Sequence, residues 1–136
     1  MSDEVIKVYY SVGRKSATVR KLEKWFQMHQ MEYQLLTFGS LTQKELLNIL
    51  YLTDQGFSDI IRSKIKNPSL NKLLNQAIDK YTVPEMLDFL LEHHYLLKSP
   101  IAIKDHKLQI GYNEEELRQF IHRERRIVEQ RYHFSQ

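Results

Sequence analysis

The period of apolar positions changes repeatedly along this chain, and each change marks an element. Val5, Ile6, Val8, Tyr9 and Tyr10 form a β-branched and aromatic run, which predicts a central strand over about 5–11. Gly13 breaks the run. Ser16 then stands where a side chain caps a helix by accepting a bond from an early backbone N–H. Val19, Leu22, Trp25 and Phe26 recur at helical spacing, which predicts a helix over about 17–30. Glu32–Thr37 reads as a second strand, so the opening is a βαβ unit with a right-handed crossover.

Helical periods dominate the middle of the chain. After a turn at Gly39-Ser40, Thr42 and Glu45 have the spacing of a capping box, and Leu46, Leu47, Ile49 and Leu50 form the apolar face behind it. Gly56 reads as an αL cap or turn closing that segment. Ser58 is expected to cap a short helix through Ile60, Ile61 and Ile65, broken at Asn67-Pro68-Ser69. From Ser69 a further helix carries Leu70, Leu73, Leu74, Ala77 and Ile78. Thr82-Val83-Pro84-Glu85 opens the next, with Pro at an early position, and Met86, Leu87, Phe89, Leu90 and Leu91 as its apolar face. After Ser99-Pro100, the segments Ile101–Ile103 and Lys107–Ile110 predict a β-hairpin. Glu114–Glu116 then lie where a helix start favours acid, followed by Leu117, Phe120 and Ile121. Ile127 and Val128 are weak apolar anchors in the tail.

The order is thus β-α-β, a helical block, then β-β-α. It predicts an α/β chain: a thioredoxin-like, four-stranded mixed sheet with an inserted helical subdomain. The core would take about residues 1–40 and 98–121, the helical subdomain 41–97, and a tail 122–136, in one unit.

Composition narrows the chemistry. At 136 residues, 42% hydrophobic and 27% charged, the chain has the makeup of one globular domain. No apolar run is long enough to span a bilayer, and Met1–Val5 does not resemble a signal peptide, so a cytoplasmic protein without a membrane partner is expected. There is no cysteine, which removes disulfides, thiolate-bound zinc and a thiol nucleophile together. The net charge of +3 permits an acidic partner without demanding one. Arg14, Arg20 and Lys21, with Lys15 and Lys24, make a basic mouth at the first helix. Arg118, Arg123, Arg125, Arg126 and Arg131 form a second cluster, but Glu115, Glu116, Glu124 and Glu129 dilute it into a mixed-charge face.

No catalytic, cofactor or metal signature emerges. His93 and His94 are adjacent, so their side chains diverge on a helix, and no HExxH pairing is present. Ser16 and Thr18 lack the context of a nucleophilic serine, and only Gly13 precedes the lysines where a phosphate loop needs several glycines.

The segment Ser99-Pro100-Ile101, followed by Lys107–Phe120 (KLQIGYNEEELRQF), resembles the C-terminal half of the Spx proteins, thioredoxin-fold transcriptional regulators in the arsenate-reductase-like (ArsC) family. Trp25, the helix Thr42–Leu52, the run Leu52–Gly56, Asp59–Ile61 and Arg62-Ser63-Lys64 extend the resemblance over nearly the whole chain. The family carries Cys-x-x-Cys at the first helix mouth. Anchored on Arg20-Lys21 and Trp25, that motif falls on Ser16-Ala17-Thr18-Val19, so Ser16 and Val19 occupy the places of the two sulfurs. A serine hydroxyl titrates far too high to replace a thiolate, so protein-thiol arsenate reduction and a thiol redox switch are both excluded.

What the resemblance leaves is binding to the C-terminal domain of the RNA polymerase α subunit. It implies Gly56 as the docking glycine; Tyr51, one helical turn earlier, is expected to dock with it, Arg62 and Lys98 to supply supporting charge, and basic groups near the interface to touch DNA within the polymerase complex. It also implies a cis bond before Pro100 and no cofactor. The alternatives are an arsenate-reductase-like enzyme that borrows an external thiol such as glutathione, or a scaffold for another partner such as a protease adaptor.

Overall fold

The computed structural model describes residues 5–11 and 16–121. Gly13, Arg14 and Lys15 of the basic mouth, and the tail from His122 with four of the clustered arginines, lie outside the described residues.

Strand β1 (Ile6–Tyr10) runs parallel to β2 (Tyr33–Thr37), and α1 (Ala17–Met28) joins them. Strands β3 (Ile101–Lys104) and β4 (Lys107–Ile110) form the expected hairpin, and β3 lies antiparallel to β1. The sheet order β2-β1-β3-β4 puts β1 in the interior, and the whole is the thioredoxin-like mixed sheet. Asp105 turns the hairpin with φ 54°, a conformation its short side chain tolerates.

Strand periodicity assigns the two faces. Ile6 and Val8 of β1, with Ala102 paired to Val8, pack on Leu22, Trp25 and Phe26 of α1 and on Leu117, Phe120 and Ile121. Tyr9, with Ile101 and Ile103, faces the opposite way into the helical block. Three layers result, with the sheet in the middle. The helical layer comprises α2 (Gln43–Tyr51), α3 (Phe57–Ile60), α4 (Pro68–Lys80) and α5 (Val83–Glu92), and α6 (Glu114–Leu117) closes the other face.

The helix starts follow their side chains. Thr42–Glu45 and Thr82–Glu85 are both complete capping boxes, and Asn113 caps α6 beneath the three glutamates. Several expectations need correction. Helix α1 stops at Met28, two residues early, because Gln30 turns into the positive-φ region at 55°. Helix α4 starts at Pro68, not Ser69, since the Asn67 side chain accepts from Ser69 and Leu70 N–H. On α4 only the Leu70, Leu74, Ala77 row is covered, and Leu73 and Ile78 stay 47% and 56% exposed. Ser58 is not the cap: Gly56 stands at the N-cap of α3, which ends at Ile60. Ile61 is already extended there and forms an isolated antiparallel bridge to Leu97.

Polar contacts converging on one carboxylate join sheet and helical layer. Tyr9, 2% exposed, donates its hydroxyl proton to the Glu45 carboxylate, which also closes the α2 capping box and lies 3.7 Å from Lys7 Nζ. Burial alone would raise the Glu45 carboxyl, but the bonds from Tyr9 and Thr42 and the charge of Lys7 hold it below its ordinary value. Burial, then the adjoining carboxylate, holds the Tyr9 phenol well above its usual range. A depressed carboxyl contributes stability above its unfolded pKa and loses it as pH falls through the folded one. Glu45→Ala should therefore cost about 1–2 kcal/mol at pH 7 in urea denaturation, and the gap to wild type should shrink towards pH 3. An equal gap at both pH values would contradict this.

Candidate functional site

Two surfaces compete for the functional role, and local sequence builds each. The first is the mouth of α1. Ser16 is exposed and extended (φ −68°, ψ 166°), and its Oγ accepts from Val19 N–H at 3.3 Å, so it caps the helix as its position predicts. Val19 is fully buried. The pair that the resemblance sets at the positions of two sulfurs is thus a capping hydroxyl and a core side chain. Arg20 and Lys21 are exposed on the first turn of α1.

The mouth opens on a cleft of about 610 Å³ lined by Ser11, Ser16, Thr18, Arg62, Tyr95 and Ser99, among others. Ser11 N–H donates to Ser99 Oγ at 3.3 Å, and the Ser99–Pro100 bond is cis, as the resemblance implies. Arg62 reaches this side by a route the sequence does not show. Its backbone N–H donates to Leu96 O and Lys98 N–H donates to Ile60 O, each at 2.8 Å, on either side of the Ile61–Leu97 bridge. The bridge sets Arg62 and Lys98 beside one another, where with Lys64 and Ser99 they line a shallow basic recess. The Arg62 guanidinium makes a 3.5 Å bond to the Tyr95 carbonyl. The mouth therefore offers hydroxyls and cations.

The second surface is the turn between α2 and α3. Tyr51 is the last residue of α2 and is 77% exposed, the most exposed large apolar side chain among the described residues. Leu52 caps α2, so Gly56 does not close it; Gly56 opens α3 instead, with φ 79° and ψ −138°. That conformation is open essentially to glycine alone. The intervening loop is tied down from both ends. Thr53 Oγ1 donates to Leu50 O at 2.6 Å and accepts from Gly56 N–H at 3.0 Å. Asp59, in the first turn of α3, accepts from the N–H groups of Asp54 and Gln55 at 3.1 and 2.9 Å. A Cβ added to Gly56 would meet nothing within 4 Å. A side chain there would point outward, into open space.

The structure thus divides the predicted docking residues. Tyr51 and Gly56 belong to the α2–α3 turn, whereas Arg62 and Lys98 belong to the bridge beside the α1 mouth. Thr53 and Asp59, which hold the turn, were missed; an acid at the third position of α3 was the available signal. The histidines do not converge: His93 packs on Phe89 and Tyr95, His94 on Phe38. Among the described residues no three metal-ligating side chains cluster, and no helix is long and apolar enough to cross a membrane.

The mixed sheet between its helical layers defines a thioredoxin-like α/β protein, and the chain holds no cysteine. The ArsC family profile matches residues 11–120. The Global transcriptional regulator Spx 2 of Bacillus cereus is 37% identical over 109 residues, covering 79% of this chain and 81% of that protein. The Global transcriptional regulator Spx of Streptococcus pneumoniae strain R6 is 36% identical over 113 residues, 81% of this chain and 82% of its own. A Staphylococcus aureus COL protein solved by NMR superposes with TM-score 0.68 at 19% identity, covering 85% of this chain and 97% of that one. A putative ArsC family related protein from Bacteroides fragilis gives 0.67 at 17%, covering 87% and 98%. The chain belongs to the ArsC family, on its Spx side, as a member without cysteine.

The need for glycine at position 56 is conformational rather than steric. Gly56→Ala should lower stability by about 1–3 kcal/mol, the cost of holding a non-glycine residue in this region. Gly39→Ala, whose Cβ would meet only Thr37 Oγ1 at 3.7 Å, should be nearly silent. Thermal melts of both variants check this, and equal melting temperatures would contradict it.

Proposed function

We propose that this chain is a redox-inactive, Spx-like transcriptional regulator that docks on the C-terminal domain of the RNA polymerase α subunit and alters promoter use by binding, without turnover. The observation that carries the reading is the α2–α3 turn: an exposed Tyr51 next to a rigid loop whose Gly56 leaves open space where a side chain would stand. An aromatic anchor beside exposed, immobilised backbone is suited to protein docking, since little entropy is lost on binding. Relatives named global transcriptional regulators support the class. Arg62 and Lys98 would stand on the flank of the docked surface, where positive charge suits nearby DNA. Family thiol chemistry has no attacking group here, because the chain holds no cysteine.

Calorimetric titration against the isolated α C-terminal domain tests this. Wild type should bind; Tyr51→Ala should weaken binding about tenfold or more; Gly56→Arg should abolish it. Circular dichroism of each variant keeps loss of fold distinct from loss of docking. Absence of wild-type binding, or equal binding by the folded variants, would defeat the interface. Arsenate with glutathione should give no turnover above the protein-free rate, and clear turnover would favour an enzyme that borrows an external thiol.

A further inference from the structure

A recess of about 520 Å³ lies in the helical layer between α3, the segment that follows it, α4 and the start of α5. Phe57, Ile65, Leu74 and Met86 form its apolar walls. Of the seven large apolar side chains left exposed among the described residues, three stand on this recess: Ile78, Tyr81 and Val83, at 56%, 46% and 46% exposure. Such a concentration at one concave place differs from scattered surface apolar residues, and it invites an occupant.

The recess is built in advance. Tyr81 N–H bonds to Ala77 O at 2.8 Å, and its ring stands edge-on to Phe89 with centroids 5.8 Å apart, so this wall is held by backbone and packing. The volume falls within the range of about 300–1,000 Å³ typical of small-molecule sites. Its polar lining is sparse: Asn71, Asn75, Ser58 and Ser63 carry amides and hydroxyls that both donate and accept, and among the described residues Arg62 is the one charged side chain on the recess and no acid lines it. Among the described residues Arg62 has no carboxylate at ion-pair distance, and its long bond to the Tyr95 carbonyl leaves most of its N–H donors available.

We propose that this recess binds a small aliphatic carboxylate of the medium-chain fatty-acid class. The chain would lie on Leu74, Ile78, Tyr81 and Met86, and the carboxylate would meet Arg62 at the rim. An apolar body fits these walls, and an anionic end is the complement of a site with one cation and no acid. Burying Ile78, Tyr81 and Val83 supplies the hydrophobic drive.

Calorimetry with decanoate, decanol and decylamine tests the assignment on the protein alone, so its failure would leave polymerase docking untouched. Decanoate should bind saturably, one per chain, with Kd on the order of 10–100 μM. Asn75→Trp, at an exposed lining position, should fill the recess and abolish binding of decanoate and decanol alike. Arg62→Gln should weaken decanoate about tenfold and leave decanol unchanged. Melting curves establish that both variants fold. No saturable decanoate binding, undiminished binding by Asn75→Trp, or tighter binding of decylamine would overturn the proposal. Concentration-dependent self-association of wild type that Asn75→Trp abolishes would assign the recess to a second copy of the chain, and would equally overturn it.

Discussion

Everything in this fold depends on β1 serving two cores at once. As an interior strand it places alternate residues on opposite faces: Ile6 and Val8 against α1, Tyr9 against the helical layer. A slip of one residue in its register would exchange these faces and drive Lys7 into a core. The Tyr9–Glu45 bond ties that register to α2, because the same carboxylate closes the helix's capping box. The position of α2 in turn sets the turn that carries Tyr51 and Gly56. The proposed docking surface is therefore referred back to the central strand through one buried phenol and one carboxylate.

Much of this was legible in residue order, because the devices are local. Capping boxes at Thr42 and Thr82 announce themselves by three-residue spacing, and the α1 stripe by its period. The cap at Ser16 needed only its own helix. What was not legible depends on distant partners. The Ile61–Leu97 bridge joins segments far apart in sequence, and the chain leaves the helix at Ile61, where the apolar run through Ile65 predicts its continuation. Leu73 and Ile78 fit a helical apolar stripe perfectly well; only the position of the neighbouring helices decides that they stay outside.

The candidate sites divide along the same line. Ser16 and Val19 were readable as places without sulfur, and the structure gives each an ordinary duty in helix capping and core packing. Gly56 was readable as a special position but not as the opening residue of α3, since its ψ of −138° depends on the Thr53 and Asp59 bonds around it. Arg62 and Lys98 stand far apart in sequence, and the bridge sets them side by side near the α1 mouth. The family scaffold is thus kept without cysteine at its mouth, and the proposed docking rests instead on the α2–α3 turn.

The central claim is that the turn, rather than the mouth, is the working surface. Amide hydrogen exchange on the full chain, with and without the α C-terminal domain of RNA polymerase, tests it most directly. Docking as described should slow exchange across 50–59, above all at the amides of Asp54 to Phe57, with little change at 16–22. Protection confined to the α1 mouth, with exchange at 50–59 unchanged, would contradict it.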